Sequence, residues 1–377
     1  MKRITTMLTI IYGVLAAPML LATISRREPE SALRILIIPQ LTRVGDLVCA
    51  TPTFRAVKAR YPDAHLTVLV SKKVVSMIRH NPHIGEIVII EDYRFFALAK
   101  KLRAERFDWS VSLAGVSTMT LLMLFARIPR RIKTTRSEAP VSERLTDWMA
   151  TDRVFYAHHT YLPGHYLKTL VPLDIHDDNA VPEVFPTPEG ERKAEAFVAE
   201  YGRGKPLIGI SITAGNKIKE WGDERFTELA RELHFRYDAT LVFLGGLNDE
   251  ARIAAVIERI GAGENVAATG FSLDELPSLM KRFALFIAVD TGPIYIAHAL
   301  GVPLIDIIGP VDPSEQPPLG EKSVQVLPAA GVAPSSFVFK RPGTAAEHQR
   351  AVASIPIAKV LEAVATLASR GFGVRQP

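Results

Sequence analysis

From residue 33 onward, short apolar runs alternate with longer stretches in which apolar positions recur every three or four residues. RILIIP (34–39), HLTVLV (65–70), EIVIIE (86–91) and WSVSL (109–113) form the first series of runs. They are apolar on both faces and rich in Val and Ile, as buried parallel strands are. Asp46–Tyr61 and Tyr93–Arg106 read as the intervening helices. PLIGISI (206–212), ATLVFL (239–244), NVAAT (265–269), ALFIAVD (284–290) and PLIDII (303–308) repeat the scheme, with helices over Asp223–Tyr237, Asp249–Ile260, Leu273–Arg282 and Pro293–Leu300. Parallel strands need crossovers, so this alternation predicts two doubly wound α/β domains, residues 33–178 and 205–345. A Pro-rich segment, NAVPEVFPTPEG (179–190), opens an expected linker at 179–204. A last helix, Ile357–Ser369, belongs to a C-terminal helix and tail at 346–377. Two such domains make a cleft, and ligands of such sheets bind beyond the carboxyl ends of the strands.

Residues 4–24 stand apart from this pattern. They carry no charge, with Lys2 and Arg3 before them and Arg26 and Arg27 after them. About twenty apolar residues suffice to cross a bilayer. The run is long for a signal peptide and ends in Arg-Arg. A membrane anchor within 1–32 is therefore expected, ahead of a cleaved signal, a buried core helix, or a helix lying on the membrane.

Composition narrows the chemistry. The 377 residues include 45 Lys+Arg and 40 Asp+Glu, and beyond residue 34 the two signs nearly balance. A nucleic-acid binder carries a larger basic excess in its folded part, so no nucleic acid is expected as partner. Cys49 is the only cysteine, which excludes a disulfide scaffold and a multi-thiolate zinc site. His80, His83, His158, His159 and His165 match no ligand spacing, so no metal site is expected.

Four motifs fall at the predicted carboxyl ends. In the first, Gly45-Asp46 opens a helix after the first strand. Asp46 suits either an N-cap or a base taking a proton from a hydroxyl. GxGxxG is absent, which disfavours NAD and an oxidoreductase. In the second, Thr213, Lys217 and Lys219 lie in a loop between strand and helix. Either they hold a phosphate or the lysines are merely solvated; Trp221 reads as a packing residue under the loop. The third is Gly245-Gly246 followed by Asp249, a candidate ribose ligand or a helix-start acid. In the fourth, a strand ends in Asp290, and Thr291-Gly292 begins a helix with Pro293 in its first turn. Thr291 and Gly292 make an anion site, and Asp290 suits sugar hydroxyls or a cap.

With these motifs in order, the chain resembles glycosyltransferase family 9, the ADP-heptose:lipopolysaccharide heptosyltransferases. The resemblance rests on GD-x(4)-TP and the following lysine and proline in Gly45–Pro62, on K-x-W with F-x-x-L in Lys219–Leu229, on the Asp290-Thr291-Gly292 block running to Pro303, and on GP-x-DP at Gly309–Pro313. It implies a GT-B fold of two Rossmann-like domains, here with an added N-terminal hydrophobic helix. It implies Asp46 as catalytic base and Lys219 as a contact to the donor diphosphate. Thr291 and Gly292 would bind phosphate, Asp290 sugar hydroxyls and Asp249 the ribose. Thr213 would serve the loop alone, because Ala214-Gly215 stands where some members have hydroxyl residues. Tyr295 stands where the family usually has histidine, and is expected to reach the donor through its hydroxyl.

The implied reaction moves heptose from ADP-heptose to a lipopolysaccharide core acceptor at the cytoplasmic face of the inner membrane. No cofactor is implied, and the absence of a D-x-D motif fits a metal-independent transfer. The basic run 126–136 contains Arg130 and Arg131, read as acceptor- or lipid-binding or else as a solvated face. The residues also allow a transferase or epimerase using another nucleotide-sugar, or a non-catalytic sugar-nucleotide binder.

Overall fold

A computed structural model describes residues 2–24, 32–339 and 343–374, with side chains from residue 7 onward. It divides into two units, Met1–Ala180 and Val181–Pro377. The first contains α1 (Lys2–Ala22), β1 (Arg34–Ile38), α2 (Val44–Arg60), β2 (His65–Val70), β3 (Glu86–Ile89), α3 (Phe95–Ala104), β4 (Trp109–Ser112), α4 (Ser117–Phe125), β5 (Arg130–Arg136), α5 (Val141–Arg144), β6 (Asp152–Tyr156) and α6 (Leu162–Lys168). All six strands are parallel, in the order β3-β2-β1-β4-β5-β6, with Ile35 of β1 opposite Leu66 on one side and Trp109 on the other. Residues 35–38 are fully buried, as the continuous apolar run demands of a central strand.

The second unit contains α7 (Pro188–Tyr201), β7 (Leu207–Ser211), α8 (Asp223–Arg236), β8 (Thr240–Leu244), α9 (Glu250–Ile260), β9 (Asn265–Ala268), α10 (Leu276–Met280), β10 (Phe283–Val289), α11 (Gly292–Ala299), β11 (Leu304–Ile307), β12 (Ser323–Val326), α12 (Ala345–Ala353) and α13 (Ile357–Ser369). Its sheet runs β12-β11-β10-β7-β8-β9, again all parallel. Counted within each unit, both orders are 3-2-1-4-5-6. The crossover direction therefore reverses between the first and fourth strands, β1 and β4 in one unit, β7 and β10 in the other.

Three strands escape the apolar pattern. β5 reads RRIKTTR, yet Arg131, Ile132, Lys133 and Thr134 are buried in it. Each polar member has a partner: Arg131 donates to backbone carbonyls, Lys133 pairs with Asp147 at 2.7 Å, and Thr134 meets His165 at 3.0 Å. β6 and β12 are edge strands with polar sequences. The expected linker is shorter than 179–204, because Pro188–Tyr201 forms α7, capped by Thr187 and packed on α10. α13 packs on β11, β12 and α8.

α1 lies along α4. Ala17 is buried, and Ile10, Val14, Leu20 and Leu21 pack with Leu121, Leu124 and Met149. Gly13 permits the close approach, since a Cβ there would run into the Leu121 side chain. Among the described residues, no single helix is long and apolar enough to cross a membrane.

Candidate active site

In a parallel sheet every strand delivers its following loop to the same edge. The crossover reversal opens a crevice at that edge, between the first and fourth strands. In the second unit, the loops after β7 and β10 meet there. The loop after β7 carries Thr213 and a 3-10 turn, Lys217–Lys219, anchored by Trp221, which is buried and donates from Nε1 to the Ile355 carbonyl at 2.9 Å. Trp221 is thus the packing residue expected. Lys217 is exposed, while Lys219 turns inward and forms an ion pair with Asp290.

Asp290 is fully buried at the end of β10. Its Oδ2 accepts from Lys219 Nζ and its Oδ1 from the Tyr295 hydroxyl. It does not cap α11; Thr291 is the N-cap, and its hydroxyl makes no capping bond. That leaves the first N–H groups of α11 at the crevice edge, where unpaired amide donors favour an anion. Tyr295 is buried and spends its hydroxyl on Asp290. It braces the carboxylate rather than facing outward.

Asp249 joins the same group. Its Oδ2 accepts from the Gly246 N–H at 2.9 Å and from the Thr213 hydroxyl at 3.4 Å. Gly245 allows this fold-back, because a Cβ there would sit 2.6 Å from Ile253 and 2.9 Å from the Asp249 Cβ. Thr213, Lys219, Asp249, Asp290, Thr291 and Gly292 therefore come from three loops at one sheet edge.

Sequence reasoning passed over Asp306. It sits inside β11, fully buried, and among the described residues neither carboxyl oxygen has a hydrogen-bond partner. Burial pushes its pKa well above the usual carboxylate range, and the charge of Asp290 pushes it further. The only signal was one acid in an otherwise apolar strand, LIDI.

In the first unit, Asp46 follows β1 at the corresponding place. Arg43 is the N-cap of α2 and Asp46 is its third residue, buried and in the first turn. The cap and tight-turn readings of Gly45-Asp46 thus give way to a helical one. The Thr51-Pro52 pair is explained locally. Pro52 cannot donate to the Val48 carbonyl, and the Thr51 hydroxyl donates to it instead at 2.7 Å. Against the start of α2 lies Tyr166, whose hydroxyl is held protonated by burial first and by the Asp46 charge second. A cavity of about 210 Å³ opens at the same edge, lined by Gln40 and Thr42 after β1, Ser112 at the end of β4 and Thr118 in the first turn of α4, among apolar residues such as Leu41 and Met119. The Ser112 hydroxyl has no partner among the described residues. Gly115, at φ +65°, shapes this loop; a Cβ there would strike the Thr134 carbonyl.

Arg130 and Arg131 are not brought to this edge. Both stand at the first residues of β5, the opposite end of a parallel strand. Arg130 is exposed and stacks over Trp109. Arg131 is buried, with burial lowering its pKa to about 10, and it donates to the carbonyls of Met149, Ile128 and Pro129 at 2.8, 2.5 and 3.0 Å. It is an internal clamp. His165 is likewise internal, kept neutral by burial at a pKa of about 4.

Residues 95–337 match the sequence profile of glycosyltransferase family 9 (heptosyltransferase). The chain belongs to glycosyltransferase family 9. The matched span covers the second-unit crevice; Asp46 precedes it. Lipopolysaccharide heptosyltransferase 3 of Escherichia coli is 26% identical over 287 residues, 71% of this chain and 81% of that protein. Lipopolysaccharide heptosyltransferase 2 of E. coli K12 is 25% identical over 347 residues, 88% and 97%. The solved E. coli ADP-heptose lipopolysaccharide heptosyltransferase II has the same fold, with a TM-score of 0.69 at 20% identity over 90% of this chain and all of that one. The two α/β units of this family 9 glycosyltransferase thus form the expected GT-B architecture.

Proposed function

We propose that the protein transfers heptose from ADP-heptose to a lipopolysaccharide core acceptor without a metal ion. The observation that carries this reading is the second-unit crevice, where an inward lysine, a helix N-terminus and two carboxylates stand together in a family 9 chain. The diphosphate takes Lys219 and the N–H groups of Thr291 and Gly292, and Asp249 with Thr213 takes the ribose; Asp290, fully buried with both oxygens held, positions Lys219 instead of reaching the sugar hydroxyls. Lys217 adds a solvent-side charge. The names of the relatives support the sugar and the acceptor.

In the reaction, the acceptor hydroxyl oxygen bonds to the anomeric carbon as the bond to the diphosphate oxygen breaks. Asp46 accepts the hydroxyl proton, and ADP leaves with its new charge stabilised by Lys219 and the α11 N-terminus. The transfer is proposed as a single displacement, with the acceptor oxygen entering as the diphosphate oxygen leaves. The lysine and amide donors take the part a divalent ion plays elsewhere, consistent with the lack of a D-x-D motif. A nucleotide-sugar donor together with a lipopolysaccharide acceptor supports a reaction at the cytoplasmic face of the inner membrane.

Asp46→Asn tests the mechanism. Transfer from ADP-heptose should fall by about 10²–10⁴-fold, the usual contribution of a general base, while ADP affinity by calorimetry stays unchanged. An Asn variant with full activity removes Asp46 from the chemistry. Calorimetry with UDP and GDP, and transfer in EDTA, test the nucleotide and the metal: tighter binding of either competitor, or loss of activity in EDTA, rejects that part.

A further inference from the structure

The outer side of α1 is as apolar as the side it buries. Met7, Leu8, Ile11, Leu15 and Met19 are 64, 60, 46, 76 and 70% exposed. Leu8, Ile11, Leu15 and Met19 recur at helical spacing and form one stripe, away from the α4 contact made through Ile10, Gly13, Val14 and Ala17. A helix packed on a soluble domain turns a polar face to water; this one has no charged residue between 4 and 24. The stripe continues onto α3. Tyr12, 56% exposed, stacks on Phe125 at 6.1 Å and meets the edge of Phe96 at 6.2 Å, and Phe96 is itself 54% exposed.

Cations border this surface. Arg94 precedes Phe96 and Lys100 follows it by one turn; both are exposed, and no carboxylate among the described residues pairs with either. In sequence, Lys2 and Arg3 open the helix, and Arg26 and Arg27 follow it. An apolar stripe with amphipathic aromatics beside it and cations at its rim is complementary to one leaflet of an anionic bilayer, with acyl chains meeting the stripe and headgroups the cations.

We infer that α1 lies in the plane of an anionic membrane, held on its inner side by α4, and docks the first unit through Leu8, Ile11, Leu15, Met19 and Phe96. The α4 contact decides between lying and crossing. A helix that crossed alone would have to abandon the buried Ala17 and the leucines packed around it. The inference deepens the membrane placement proposed above. Its test reads lipid binding rather than transfer, so each fails separately.

The full chain is sedimented with vesicles of phosphatidylethanolamine and phosphatidylglycerol, and with phosphatidylcholine alone. Binding to the anionic vesicles is expected to exceed that to the neutral ones by at least about tenfold. Leu8→Glu with Leu15→Glu should abolish it, and Arg94→Glu with Lys100→Glu should weaken it about tenfold. Circular dichroism identifies the folded variants. If the Glu pair misfolds, Leu8→Ser with Leu15→Ser replaces it. Leu15→Trp reports depth through brominated lipids: stronger quenching by shallow bromines is expected, and stronger quenching by deep ones indicates a crossing helix and overturns the inference. Equal binding by the Glu or Ser pair also overturns it. So does a dimer, seen by analytical ultracentrifugation, that the pair dissolves while vesicles bind neither protein.

Discussion

The two units thread six parallel strands in the same order and open a crevice at the same topological position, between first and fourth strands. The chemistry at those positions differs. In the first unit the edge offers Gln40, Thr42, Ser112 and Thr118 among apolar neighbours, with Asp46 buried in the first turn of α2. In the second it offers an ion pair, a helix N-terminus and a second carboxylate gripped by backbone and Thr213. The scaffold fixes where a ligand binds, and the loops decide which ligand. A diphosphate needs fixed positive charge and N–H donors, and the second edge brings Lys219 and the α11 N-terminus together. Under the proposed function, the first edge serves a neutral sugar hydroxyl, with Asp46 as the base. Under the proposed reaction, two copies of one architecture would divide nucleophile activation from leaving-group stabilisation.

After the loss of the Asp46 carboxylate, the change expected to break this division most severely is Lys219→Ala. Among the described residues it leaves the buried Asp290 with the Tyr295 hydroxyl as its side-chain partner, so stability should fall by about 3 kcal/mol, the low end for breaking a buried pair because the ammonium reaches solvent. The loss should appear in urea denaturation, together with a drop in ADP affinity of about tenfold or more from the missing charge-assisted bond. Lys217→Ala, on an exposed side chain of the same turn, is the control and should leave stability within about 0.5 kcal/mol. If Lys219→Ala behaves like the control, the buried ion pair does not organise the second crevice.

Tyr295→Phe sharpens the same point at smaller cost. The ring volume stays, and only the donor to Asp290 Oδ1 goes. A stability loss of about 2 kcal/mol is expected for a bond to a charged acceptor. ADP affinity should change less than in Lys219→Ala, because the tyrosine acts through Asp290. A loss of ADP affinity with no loss of stability would make Tyr295 a direct donor contact instead.

Much of this was legible in the chain. The apolar runs marked β1, β2, β4, β7, β8 and β10 because central parallel strands are buried on both faces, and each motif lay beyond one of them. β5 was not legible, because burial of Arg131 and Lys133 depends on carbonyls and on Asp147 that only the folded unit supplies. Residue type placed Arg130 and Arg131 with anionic ligands; strand direction puts them at the other end of the sheet. Tyr295 and Asp290 were each read as facing the donor, but periodicity could not tell that one side chain grips the other. Asp306 was invisible for a plainer reason: a lone acid in a short apolar run gives no hint of whether it ends exposed, paired, or buried and neutral.

Asp306→Asn resolves that last case and has the smallest expected effect. The carboxyl shares its surroundings with Asp290 and Lys219, and a second charge there would compete for the one ammonium. Burial and the Asp290 charge raise its folded pKa above the ordinary 3.8, against a smaller lowering by Lys219. The folded state therefore binds more protons than the unfolded state between those two pKa values, and stability declines as pH rises through that window. The contribution is complete below the unfolded pKa and lost as pH approaches the folded one. Asparagine keeps the shape and cannot ionise, so the variant should match the native protein near pH 4 and become the more stable of the two as pH rises. Urea midpoints measured from pH 4 to pH 8 read this directly. A difference that stays constant with pH would mean that Asp306 carries its charge in the folded protein, and Lys219 would then serve two carboxylates and have less charge left for a diphosphate.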